Sequence, residues 1–145
     1  MTPILIEHPR FLLRDFTESD RAAFLEYQSD PRYLALYDFD ASDTQRAGEL
    51  FDLFRGWSQA APRRNFQIGV FDRHRGELCG CAGLRRSTDE VAVLGIELAP
   101  AKWGSFALAL DVAAALLEYG FQQLRLTTII GDTAGGNKRV TKLAR

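Results

Sequence analysis

Apolar and polar residues alternate along the chain in two rhythms, and the change of rhythm divides it into elements. Arg10 to Arg14 (RFLLR) is a short apolar run between charges and reads as a first strand. Thr17 followed by Asp20 has capping-box spacing, and the helix it opens carries Phe24, Leu25 and Tyr27 on its apolar side to about Ser29. Asp30-Pro31 supplies an N-cap and a proline at the first helical position, which predicts a second short helix to about Leu36. Ser42 and Asp43 open a longer one, with Ala47, Leu50, Phe51, Phe54 and Trp57 at helical spacing and Pro62 at its end. The period then falls to two. Asn65 to Asp72 sets Phe66, Ile68 and Val70 against Gln67, Gly69 and Phe71, and Glu77 to Leu84 returns as its hairpin partner. Gly80 and Gly83 in the returning strand mark a bulge or a close backbone approach.

From Val91 onward the pattern is a βαβ unit. A strand (VAVLGIELAP) leads through a tight turn (AKWGS) into an apolar helix (FALALDVAAALLEYGF), a second strand (TTIIGD), a glycine-rich turn and a basic terminal segment. Phe106, Leu110, Ala113, Leu117 and Phe121 are expected to form the helix stripe that faces the sheet, with Asp111 and Glu118 outside. No repeat, linker or low-complexity segment interrupts 1–145, which is read as a single domain.

Composition narrows the class more than the function. An apolar share of 46% and a charged share of 26% are those of an ordinary globular protein. With 18 basic and 19 acidic residues the net charge is −1, so no global field recruits nucleic acid or a membrane. Cys79 and Cys81 read as small buried residues of a reducing compartment. No histidine or second cysteine pair accompanies them, so no metal site is expected. The N-terminus shows no secretory pattern, no apolar run approaches membrane-spanning length, and a cytoplasmic location is expected.

Three places carry candidate chemistry. Glu97 is the single carboxylate in an apolar strand, on the face of Val91, Val93 and Gly95. It sits at the strand's C-terminal end beside a helix N-terminus, where open sheets bind ligands. It is either a general base or a strand-end carboxylate that reaches water or an arginine. The turn Lys102 to Ala107 is an anion-site candidate: Gly104 permits a positive φ, and the amides of Ser105, Phe106 and Ala107 open a helix. The aromatic connector with Tyr33, Tyr37 and Phe39 is either packing under a loop or the wall of a substrate cleft. Asn137, after the second strand, either caps a final helix or touches a ligand. The basic residues from Lys138 to Arg145 form either a solvated helical face or a phosphate-facing patch. His8 and His74 lie in poorly placed segments, which leaves nucleophilic triads without a base.

The stretches FLLRDFTESD, NFQIGVFDRHRGELCGCAGL, LGIELAPAKWGSFALALDVAAALLEYGFQQLRL and GDTAGGNKRV together resemble the GNAT-type N-acetyltransferase superfamily. Within it they are most similar to the branch of ribosomal-protein N-terminal alanine acetyltransferases. The resemblance implies an α+β fold, a splayed mixed β-sheet flanked by helices, with acetyl-CoA between the strands at Val91 and Thr127. It implies that pantetheine pairs with the backbone around Ile96 to Leu98 and that the pyrophosphate lies on the amides of Trp103, Gly104, Ser105, Phe106 and Ala107. Asn137 matches the asparagine beside the pantetheine, and Glu97 lies on the strand that often supplies the base. Tyr33 and Tyr37 are the corresponding substrate-side candidates. The implied reaction moves an acetyl group directly to a primary amine, of a protein N-terminus or a small molecule.

Two departures from the family pattern accompany these matches. Only one of two alternate loop glycines is present, at Gly104. The closing pair of C-terminal strands and their tyrosine are expected to be missing after Arg145, which leaves the Thr127 strand as an edge for a homodimer to complete. The competing readings are a non-catalytic acyl-CoA-binding or interaction module and an unrelated nucleotide-binding βαβ domain.

Overall fold

The structure, a computed structural model, describes residues 3–133 and 136–141, with side chains described through Gly131. Seven strands form one sheet in sequence order: β1 (Leu5–Glu7), β2 (Phe11–Arg14), β3 (Asn65–Asp72), β4 (Leu78–Arg86), β5 (Val91–Leu98), β6 (Thr128–Thr133) and β7 (Gly136–Thr141). All neighbours pair antiparallel except β5 and β6, which run parallel. Parallel neighbours need a crossover. Helix α4 (Phe106–Gln122) supplies it and covers one face. Helices α1 (Arg21–Gln28), α2 (Pro31–Leu36) and α3 (Arg46–Gln59) cover the other. This is the mixed sheet flanked by helices that the family resemblance implies.

Two cores result because both faces of the central strands are buried. On the α4 side Phe66, Ile68, Val70, Leu84 and Leu94 meet Val112 and Leu116. On the other side Phe16, Phe24, Tyr27, Phe51, Phe54 and Phe71 form an aromatic cluster. Phe24 and Phe51 are fully buried with ring centroids 5.5 Å apart, a geometry that adds about 0.5–1.5 kcal/mol to the area they bury. Gly80 couples the cores. At β3–β4 the register shifts between Val70 and Phe71, and Gly80 adopts a φ of 155° with the Glu97 carbonyl 2.1 Å from where a Cβ would stand. The extra residue sends Cys79 into one core and Cys81 into the other, so the two thiols do not share a face as their spacing suggests.

Several expectations need correction. The N-terminal segment holds a short strand, β1, ahead of the RFLLR strand. Helix α3 starts at Arg46, because the Asp43 carboxylate accepts from the Gln45 and Arg46 amides in a turn that precedes the helix. On α4 the fully buried row is Val112, Leu116 and Gly120, whereas Phe106 and Leu110 are 79% and 70% exposed. Residues 136–141 form strand β7 along β6 rather than a glycine-rich turn and a helix. The β6 edge is therefore paired within the chain, which removes the reason for expecting a homodimer to complete it, and strand structure does follow β6.

Candidate active site at the parting of β5 and β6

The parallel ladder runs from Val91↔Thr128 to Leu94↔Gly131 and stops there, although both strands continue. Which backbone groups this leaves open follows from alternation. Ala99 N–H bonds to Cys79 C=O at 2.7 Å and Ser87 N–H to Val91 C=O at 2.9 Å, so the odd residues of β5 point their polar groups at β4. The even residues Ile96 and Leu98 therefore point theirs into the gap beyond Leu94. Trp103 closes its far end, its indole N–H donating to Leu98 C=O at 3.0 Å. A cavity of about 740 Å³ opens at the parting, lined among others by Tyr37, Leu50, Phe54, Arg85, Gly95 and Glu97.

Glu97 is held on the aromatic side by three elements. Tyr33 donates to Oε1 at 2.6 Å, while Tyr27 and the Gln28 amide donate to Oε2 at 2.7 and 2.9 Å. The Cys81 thiol lies 3.6 Å from Oε2, directly across the β4–β5 pair. Burial is the first cause that pushes the Tyr27 and Tyr33 hydroxyls well above their usual range, with the Glu97 charge adding to it. Burial likewise pushes the Cys81 thiol up to about 12, helped by Glu97. All three keep their protons at neutral pH and serve as donors. Gln28 is fully buried, and its Oε1 accepts from Arg46, whose guanidinium also bonds the Gln28 carbonyl and lies 4.1 Å over the Phe39 ring.

Among the described residues Glu97 thus meets no arginine directly; tyrosines and an amide bond it. Tyr33 is 3% exposed and belongs to this hydrogen-bond shell, while Tyr37 is 44% exposed and lines the cavity. Sequence reasoning misses Tyr27, Gln28 and Cys81. A signal for Gln28 exists: it lies four residues after Phe24, a polar residue on the apolar stripe of α1, which marks a buried amide with partners to find.

The turn before α4 only partly fits the expected anion cradle. Gly104 takes the positive φ of 90° that glycine allows. Ser105, at φ −84° and ψ 68°, forms an inverse γ-turn in which Phe106 N–H bonds Gly104 C=O, and Ser105 N–H bonds Lys102 C=O. Trp103 N–H likewise bonds Pro100 C=O, so three of the predicted donors are used by the loop itself. The Ala107 and Leu108 amides stay in the first helical turn, where no intrahelical acceptor precedes them. With Lys102 and Arg10 they line a second cavity of about 480 Å³. Lys102 has no ion-pair partner among the described residues. Asn137 pairs with Asp132 in the β6–β7 ladder, and its side chain lies outside the described residues. No cluster of metal-ligating residues occurs among the described residues.

The sheet thus parts beside a helix N-terminus, with a fixed carboxylate at the parting. The chain belongs to the acetyltransferase (GNAT) domain family, whose model matches residues 10–145. The family uses acetyl-CoA. Among solved structures, the chain is similar to a GNAT-family acetyltransferase from Bacillus anthracis, at 23% identity and a TM-score of 0.66, covering 88% of this chain and 72% of that one. It is also similar to a Vibrio cholerae protein assigned as a ribosomal-protein-serine acetyltransferase, at 22% identity and a TM-score of 0.72, covering 90% and 75%. A third is spermidine N-acetyltransferase from Vibrio cholerae in complex with CoA and spermine, at 20% identity and a TM-score of 0.63, covering 86% and 71%. At these identities the likeness concerns the fold.

Proposed function

We propose that the protein is an acetyl-CoA-dependent N-acetyltransferase acting on a primary amine, with Glu97 as general base. The observation that carries this reading is the Glu97 carboxylate on the wall of the cavity where β5 loses its β6 partner. Acetyl-CoA, when bound, supplies an acetyl thioester whose C–S bond breaks as the amine's N–C bond forms. Ile96 and Leu98 offer backbone groups to the pantetheine arm, apart from the Leu98 carbonyl that Trp103 already occupies. Trp103 and Gly104 shape the turn, Lys102 and the Ala107 and Leu108 amides face the diphosphate, and Ser105 and Phe106 contribute through the loop's form. Asn137 is assigned to the flank of the arm on resemblance alone.

Glu97 must remove a proton, because an ammonium has no lone pair with which to attack. A carboxylate offers about four acceptor sites. Oε2 is taken by Tyr27 and Gln28, whereas among the described residues Oε1 carries only Tyr33 and so offers a site to the amine. Tyr33 orients the base, and Tyr37 forms the wall against which the acceptor lies. An acceptor on a protein N-terminus, as in ribosomal-protein acetylation, is supported by one structural neighbour of that assignment. A reducing, cytoplasmic compartment is part of the proposal and is supported by two buried, unbridged cysteines. Among the described residues no helix is long and apolar enough to cross a membrane.

The rival, a non-catalytic acyl-CoA-binding module, shares the parted strands, and the three loop amides closed on the loop itself favour it. Saturating acetyl-CoA raises the melting temperature under either reading. Release of free thiol that depends on an added amine supports the enzyme alone. A thermal shift without thiol release across a panel of peptide and small amines leaves the binding module.

A further inference from the structure

The cavity beside Glu97 has a second charged end. Arg85 faces Val93 across the β4–β5 pair, four residues along from the Cys81↔Glu97 pair and on the same face of the sheet. Four strand residues separate the two levels by about 13 Å. Between them the floor is Gln67, buried at 8% exposure, whose Oε1 lies 3.5 Å from an Arg85 nitrogen. The wall is α3, with Leu50 and Phe54 on the cavity and Trp57 beneath the Arg85 guanidinium at 5.0 Å. Stacking fixes that guanidinium without neutralising it. Arg85 is exposed and has no carboxylate partner among the described residues, and Glu97 is the one carboxylate among the described lining residues. The trough is thus anionic at one end, cationic at the other and apolar along one side.

We infer that Arg85 is a specificity-determining residue that binds an anionic group of the acceptor, so that the preferred substrate is a primary amine carrying a carboxylate roughly 10 Å away. An extended peptide advances about 3.3 Å per residue, so two advances of about 7 Å together, plus about 3 Å of acidic side chain, let an acidic residue at the third position meet the requirement. A polyamine does not: with its first amine at Glu97, a second ammonium would approach Arg85. This inference rests on the proposed amine acetylation, whose acceptor class it narrows.

The probes are the tripeptide amides Ala-Ala-Asp-NH2 and Ala-Ala-Asn-NH2, together with spermidine, measured on the full chain with acetyl-CoA. For the wild-type protein the expected KM of the Asp peptide is about tenfold below that of the Asn peptide, the size of one charge-assisted contact, at similar kcat. Arg85→Gln removes that preference by raising the KM of the Asp peptide alone. Its kcat for the Asn peptide stays within about twofold, a separation that general loss of structure would not produce. Equal KM values for the two peptides in the wild-type protein, or a lower KM for spermidine than for the Asp peptide, overturns the inference. So does an equal loss on both peptides in Arg85→Gln. Calorimetric binding of the same peptides in the presence of CoA separates the two proposals. A retained Asp preference without turnover sinks the transferase reading and keeps the Arg85 site, whereas turnover without preference does the reverse.

Discussion

The two ends of the site are built by opposite means. At the Glu97 end, side chains from α1, α2 and β4 converge on one carboxylate from 16 to 70 residues away in sequence, all of them buried or half-buried. At the α4 end, one local turn bonds to itself within three residues and leaves Trp103, Phe106 and Leu110 exposed. A long-range cage loses geometry wherever any contributing element shifts, while a local turn absorbs a substitution nearby. The chemistry is assigned to the end that tolerates least, as preorganised sites require.

The harshest way to break this contrast is Gly80→Ala. A methyl there collides with the Glu97 carbonyl at a φ that side chains rarely adopt. The expected cost is about 3 kcal/mol of stability, read by chemical denaturation, with turnover lost through displacement of β5. Gln28→Leu comes next. It leaves Arg46 and one face of Glu97 without their amide, so kcat should drop about tenfold with the acetyl-CoA KM little changed and a melting temperature several degrees lower. Phe106→Gly should do least. An exposed side chain leaves the helix N-terminus and the loop gains freedom. Acetyl-CoA is expected to bind a few-fold tighter by calorimetry, at a stability cost of at most about 1 kcal/mol. A Phe106→Gly effect on kcat larger than that of Gln28→Leu would reverse the assignment of the two ends.

This division also explains what could be read from the chain. Strands β3, β4 and β5 announce themselves because period-two patterning survives even where both faces are buried, and Glu97 stands out as the one charge in such a run. Strands β1 and β7 do not. Leu5–Glu7 is three residues long, and Gly136–Thr141 carries Asn, Lys and Arg, a polar edge with no apolar alternation to detect. Helix α4 is legible as a helix but not in its rotation. Apolar residues surround most of it, so a stripe chosen by spacing included the exposed Phe106 and Leu110. The loop glycine at Gly104 was readable because φ is a local property. The cage was not, because nothing near Glu97 in sequence tells which tyrosine or glutamine will reach it.

The central claim is that Glu97 serves the chemical step and leaves acetyl-CoA binding to the backbone around it. Turnover of Glu97→Gln, measured beside its acetyl-CoA dissociation constant, tests this most directly. The expected result is a fall in kcat of about 10²–10³-fold with a dissociation constant within about twofold of wild type. A kcat within about threefold of wild type, or an equal loss in kcat and affinity, would contradict it.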